Sequence, residues 1–250
     1  MIAEKVNRIA IVSSPRSGNS WIRSVIAGSL NMPEMAVHNI ADIRDELPER
    51  VFLQIHWYRE PGFQKWLDDN HFKVICVARH PLDVLLSILH YIRYEKATSR
   101  WLDGNGSIPD SLKLASSAST DFLDYALSFG AYNLLSVSEF WWQDPNVIKI
   151  RYEDCVADPV GELGTLVERF GGSQKAIYDM LEKNSIENMQ RTPNRHGWKG
   201  MPGLYKKLIP TSYMFKIYKK HKQLFDVLGY DFSLYFLTKT QAERNWISYL

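Results

Sequence analysis

Three clusters of residues in this 250-residue chain have the types and spacing to hold anions, and one histidine stands where it could move a proton. The first cluster is SSPRSGNSW, in which Arg16, Ser17, Gly18, Asn19, Ser20 and Trp21 follow a short apolar run and open an amphipathic one. Gly18 lets the main chain approach a ligand closely, and the unpaired N–H groups of a helix beginning near Asn19 or Ser20 point at whatever anion sits there. Ser17, Asn19 and Ser20 add side-chain donors. A nucleoside-triphosphate loop, G-x-x-x-x-G-K-[ST], sets a Lys after its second Gly; here that place is Asn19 and the cation stands at Arg16. On these residues alone an ordinary strand-to-helix turn capped by Ser20 stays open. The second cluster is Arg79, directly after the apolar run VICVA, with Ser87 eight residues on. A guanidinium suits an oxyanion, and a surface pair with Asp83 is the alternative. The third is the Gly-rich stretch NRHGWKGMPG with Arg195 and Lys199, which also reads as a solvated basic loop. His56 closes the run VFLQI, and an imidazole is the side chain whose ordinary pKa suits general-base work.

Positioning these residues takes a sheet. Apolar runs too short for helices recur at Ile9 to Val12, Val51 to Ile55, Val74 to Ala78 and Val147 to Ile150, each the signature of a buried strand. Helical patterns alternate with them, which predicts one α/β, P-loop-like domain over residues 1–250: a central, mostly parallel sheet flanked by helices. Such sheets collect ligands at the carboxyl ends of their strands, where Arg16, His56 and Arg79 all fall. The clearest helix follows the third strand: Pro81 suits its first turn, Asp83 its positive end, and Leu82, Leu85, Leu86 and Leu89 keep three-to-four spacing. Helices are also expected over 121–142, 159–170 and 174–183, and 99–120 reads as a surface loop that is mobile or borders a pocket. Lys+Arg 30 against Asp+Glu 28 gives no general reason to bind nucleic acid or an acidic membrane, so any anion site is local. Cys76 and Cys155 form neither a disulfide framework nor a zinc site, and the apolar run ending at Val12 is too short for a signal or a span, so a soluble cytoplasmic protein is expected.

The residues of the first cluster resemble the 5′-phosphosulfate loop of sulfotransferases that use 3′-phosphoadenosine 5′-phosphosulfate (PAPS), whose pattern is Pro, Lys or Arg, Ser, Gly, a polar pair and Trp. The resemblance implies that Arg16 meets the phosphosulfate, Asn19 and Ser20 the 5′-phosphate, and that Trp21 stacks on the adenine. It implies that Arg79 and Ser87 bind the ribose 3′-phosphate, with Ser185 of SIENM, and that Arg195, His196 and Gly197 of the R-x-G-x-x-G pattern close over it. IRYEDCVADP is similar to the strand and turn whose Tyr reaches the adenine, here Tyr152, and His56 takes the place of the family's catalytic His. The sequence departs from the pattern at Gln54 and Ile55, where Lys and Thr precede that His, and at Met201-Pro202-Gly203.

These implications predict in-line transfer of a sulfuryl group from PAPS to a hydroxyl or amine of a small-molecule, glycan or lipid acceptor. PAP is the product, His56 the base and Arg16 the stabiliser of developing charge, with no metal. A P-loop kinase-like phosphotransferase and a non-catalytic adenine-nucleotide binder are the rival readings; the missing Lys after Gly18 speaks against the first, and Gln54 invites the second. Trp57, Tyr58, Phe63, Tyr91 and Tyr94 are candidate acceptor walls or core packing.

Overall fold

The computed structural model describes residues 6–43, 46–191, 198–231, 233 and 235–250. The chain runs β1 (Arg8–Val12), α1 (Asn19–Ser29), β2 (Glu34–Val37), β3 (Val51–Ile55), α2 (Pro61–Asp69), β4 (Lys73–Ala78) and α3 (Pro81–Tyr91), then α4 (Thr120–Ala126), α5 (Phe129–Trp142) and β5 (Ile148–Arg151). Helices complete it: α6 (Tyr152–Ala157), α7 (Pro159–Arg169), α8 (Lys175–Lys183), α9 (Ile186–Gln190), α10 (Tyr205–Leu208), α11 (Thr211–Lys220), α12 (Lys222–Leu228) and α13 (Lys239–Tyr249). The strands form one parallel sheet in the order β2-β3-β1-β4-β5.

Four strands coincide with the four apolar runs, because strands buried on both faces are written as continuous apolar stretches. The edge strand β2 was not anticipated. Its EMAV alternates exposed and half-buried residues, so it carries no continuous run. The expected helix over 121–142 is broken in two at Ser128, whose side chain accepts from Ala131 N and caps α5. The stretch 99–120 is less of a surface loop than its composition suggests. Trp101, Leu102 and Leu112 are buried in it, and two short 3₁₀ segments, Lys96–Gly104 and Asp110–Lys113, fold it against the body.

One apolar layer, with Ile22, Val25 and Ile26 of α1 and Leu163 and Val167 of α7, covers one face of the sheet. The larger layer, holding α3, α5 and the helices after residue 203, covers the other. All of α3 is buried, including the polar Asp83, Ser87 and His90. Those three must find partners inside the protein, and each is aimed at a segment that borders the cleft described below. β1 is central. The chain leaves it toward β3 and β2 on one side, and β4 and β5 lie on the other, so a crevice opens over its carboxyl end. The pairings Val12↔Ile55 and Ile11↔Ile75 bring the loops after β1, β3 and β4 out together at that edge.

Candidate active site

A cleft of about 760 Å³ lies over these strand ends. Its floor is the loop between β1 and α1. Gly18 holds φ +97° as the residue before α1, and the ring of Tyr152 lies on it so closely that a Cβ there would meet Tyr152 Cδ2 at 2.3 Å. Only glycine satisfies both the backbone angle and that approach. No side chain caps α1 and no acid sits in its first turn, so its first N–H groups are left for a ligand. Asn19 turns inward and donates Nδ2 to Ser14 O at 2.9 Å, bracing the loop. The buried Asn19 Oδ1 and Ser17 Oγ have no hydrogen-bond partner. Ser20 and Trp21 line the cleft, and Trp21 stands edge-on to Tyr152 at 6.1 Å.

Two guanidinium groups meet above the loop. Arg16, at φ +68°, donates Nε to Ser87 Oγ at 3.1 Å and lies 4.1 Å from the centroid of the Tyr91 ring. Arg79 donates Nη1 to Arg16 O at 3.1 Å and covers the ring of Tyr152 at 4.5 Å. A hydroxyl, a carbonyl and two aromatic faces orient these cations. Burial first, and then the charge of Arg79, lowers the pKa of Arg16 to about 10, so it stays charged at neutral pH. Arg79 Nε is buried without a partner. A buried guanidinium with an orphaned Nε beside a second cation is costly unless an anion joins them, and a phosphate or sulfate oxygen supplies charge and acceptor together.

The surface pair between Arg79 and Asp83 does not form. Asp83 is buried and accepts from Gly203 N at 2.6 Å and Tyr205 N at 2.9 Å, which ties the wall opposite the loop to α3. Tyr152 donates its hydroxyl to Gly200 O at 2.8 Å, so one side chain spans from the loop glycine to that wall. Ser185 lines the cleft and caps α9, its hydroxyl accepting from Asn188 N. Arg195, His196 and Gly197 lie outside the described residues.

His56 follows β3 directly and is buried. Its Nδ1 lies 2.8 Å from Ser13 O. A carbonyl only accepts, so Nδ1 carries the proton and Nε2 keeps the lone pair of a ring that lines the cleft. Burial lowers the imidazole pKa to about 4, with the nearby charges of His38, Arg16 and Arg23 acting in the same direction. His56 is therefore the neutral, base-competent form at pH 7.

The structure brings together Arg16, Gly18, Asn19, Ser20, Trp21, His56, Arg79, Ser87, Tyr152 and Ser185 around one cleft. Ser17 lies buried beside it. Of the aromatic candidates, Tyr91 lines the cleft, whereas Phe63 packs in the core between Trp66 and Trp141. Arg23, His38, Glu95 and Trp101 also face the cleft, outside the motifs that the sequence displays. For Arg23 the signal was present: it stands four residues after Asn19 on the same helix face.

A family model described as "Sulfotransferase domain" matches residues 7–201. Among solved structures, the fold is similar to mouse sulfotransferase SULT7A1 complexed with PAP, with a TM-score of 0.67 and 18% identity, over 91% of this chain and 87% of that one. It is also similar to retinol dehydratase, in a complex with retinol and PAP (TM-score 0.61) and in one with androsterone and inactive cofactor PAP (0.60). Both matches have 15% identity and cover 93% of this chain and 84% of the other.

Proposed function

This chain belongs to the sulfotransferase-domain family, and on that premise we propose that it transfers a sulfuryl group from PAPS to a hydroxyl of a small-molecule acceptor, releasing PAP, with His56 as general base. The observation that carries this reading is the pairing, in one cleft, of a doubly cationic pocket at Arg16 and Arg79 with a neutral imidazole whose tautomer is pinned. PAPS, when bound, supplies an activated sulfuryl group on a 5′-phosphate leaving group. The loop amides from Gly18 onward and Ser20 face the 5′-phosphate, and Trp21 and Tyr152 offer ring surface to the adenine. Arg79 and Ser87 take the 3′-phosphate, with Arg195, His196, Gly197 and Ser185 assigned to the same group.

His56 Nε2 accepts the acceptor's proton as its oxygen bonds to sulfur; the bond from sulfur to the 5′-phosphate oxygen breaks, and the electron pair leaves with PAP. Arg16 faces the charge that develops on the leaving oxygen, in a site where burial strengthens its effect. The acceptor wall is apolar and aromatic, with Tyr91, Trp101, Trp198 and Met201, and related structures hold retinol and androsterone, so a compact apolar alcohol is the acceptor class proposed ahead of an amine, a glycan or a lipid. We read residues 1–250 as one domain, and a cytoplasmic location as the fitting compartment. No helix of the described residues is long and apolar enough to cross a membrane, and none of them form a cluster suited to a metal ion.

Calorimetry against PAP and adenosine 5′-phosphosulfate, with radiolabelled PAPS turnover over a panel of alcohols, tests the assignment. Arg79→Ala is expected to weaken PAP by roughly 10- to 100-fold and to spare adenosine 5′-phosphosulfate, which lacks the 3′-phosphate. Equal losses for both ligands would remove Arg79 from that role. His56→Ala is expected to keep PAP affinity and lower turnover by about 10²-fold or more; unchanged turnover would disqualify it as the base.

A further inference from the structure

Arg23 is a charged residue of the cleft to which the reading above gives no task. It lies one turn beyond Asn19 on α1, with its side chain 15% exposed. Its Nη1 donates to Gln54 Oε1 at 2.8 Å, and its Nε donates to Glu34 Oε2 at 2.6 Å. Ser24 Oγ donates to that same Glu34 oxygen at 3.0 Å, holding the carboxylate in place. The two anchors differ in kind. Glu34 sits at the rim, its side chain 36% exposed, and takes the inner nitrogen of the guanidinium. Gln54 is buried and neutral, so its amide oxygen fixes the direction of Nη1 without cancelling the charge.

Gln54 also decides where that charge points. It stands next to last on β3 and His56 directly follows the strand, so two extended residues keep the pair about 6–7 Å apart. The guanidinium, held by Gln54, thus enters the cleft from the β3 edge that leads into His56. The effect reaches the imidazole: after burial, the charges that lower the His56 pKa include both Arg16 and Arg23. Two guanidinium groups from different elements thus act on His56. The bonds to Glu34 and Gln54 use two of the five N–H donors of Arg23, so the fork retains donors for a ligand oxygen.

We infer that Arg23 contacts the oxygens of the sulfuryl group as it passes from nucleotide to acceptor, with Gln54 and Glu34 as the residues that position it. This rests on the sulfotransferase reading above. Arg16 serves the leaving side and Arg23 the side on which the acceptor arrives, so the charge on the sulfuryl oxygens is met from two directions.

The test compares wild type, Arg23→Gln, Arg23→Lys and the double variant R23Q/Q54K, using PAPS and PAP as binding probes in the cold. Acceptor-free release of sulfate from PAPS and transfer to 2-naphthol are the rate assays. PAP carries no sulfuryl group, so the ratio of the two affinities isolates contacts to it. Arg23→Gln is expected to weaken PAPS about five- to tenfold while PAP stays within about twofold, and to lower kcat by about tenfold or more. Arg23→Lys is expected to keep part of the rate. R23Q/Q54K is expected to recover rate, because an ammonium on β3 restores positive charge beside His56. Equal weakening of PAPS and PAP would show that Arg23 only braces α1, and would overturn the inference. So would unchanged ratio and rate, or a lost rate that neither lysine restores. A wild type that binds PAP but converts no PAPS would sink the transfer reading and this inference together, whereas failure confined to the Arg23 variants sinks this inference alone.

Discussion

From Ser13 to Gly18 the cleft is walled by a loop stitched into the sheet, and over Asn184 to Met189 and Trp198 to Leu204 by stretches gripped at isolated points. In the first wall, Ser13 Oγ accepts from Val77 N at 2.6 Å, Ser14 N and Ser14 Oγ bond Ser138 Oγ and Leu135 O at 2.8 Å, and Ser13 O holds His56. Strands β3 and β4 and helix α5 all enter that network. The second wall hangs on the Asp83 carboxylate, the Tyr152 hydroxyl and Trp198, whose ring stacks on His90 at 4.4 Å and donates Nε1 to Tyr249 O at 3.1 Å. The difference teaches a division of labour. The side chains proposed for the chemistry stand on the wall whose rigidity comes from strands, whereas the described part of the other wall is held by contacts that can be lost one at a time.

The largest effect is expected where the two walls touch through one residue. Gly18→Val adds an atom into the Tyr152 ring at a backbone angle that costs about 1–3 kcal/mol for a side chain. It should abolish PAP binding by calorimetry and lower the urea midpoint, and a variant that binds PAP normally would show the walls to be uncoupled. Next comes Asp83→Ala, which leaves Gly203 N and Tyr205 N without their acceptor, at about 1–3 kcal/mol for the buried Tyr205 N and less for the half-buried Gly203 N. Hydrogen exchange should accelerate at those amides while the Ser14 amide, bonded to Ser138 Oγ, stays protected; acceleration at both would erase the distinction.

A smaller effect comes with pH, and it samples both walls. Burial lowers His56 and His80 to about 4, and His80 stacks on Tyr205 at 4.0 Å behind the second wall. The unfolded chain binds these protons near pH 6.5 and the folded chain does not until about 4. Stability is therefore complete above pH 6.5 and falls as pH drops toward 4, by about 1.4 kcal/mol per pH unit for each imidazole. Urea titrations of His56→Asn and His80→Asn should each lose one proton's share of that slope, and a slope left intact by either variant would contradict its neutral burial. The smallest change is Tyr152→Phe, which keeps the ring on Gly18 and removes the hydroxyl from Gly200 O, at about 0.5–1.5 kcal/mol. PAP affinity should fall by less than about tenfold, and a larger fall would mean that the phenol does more than tether the second wall.

Much of the fold was legible because strands buried on both faces advertise themselves, as RIAIV and KVICVA do. β2 escaped because an edge strand with one exposed side has no such signature. Within the site, Arg16, Gly18, Asn19 and Arg79 could be read from their places at strand ends and a helix start. Arg23 could be read only as sharing a helix face with Asn19; its pairing depends on Gln54, a residue 31 positions away.

By itself the sequence determined the conformations that neighbouring residues dictate: the loop that needs Gly18, the helix that Pro81 starts, and the runs that must be buried. Only the tertiary structure decided which charges share a space. The order β2-β3-β1-β4-β5 sets three strand ends beside one another, and α1 lies across β3 so that Arg23 reaches Gln54. The physical reason is range. Backbone angles and periodicity answer to residues a few positions away, whereas the electrostatics of a cleft answer to distances in space that chain order does not record.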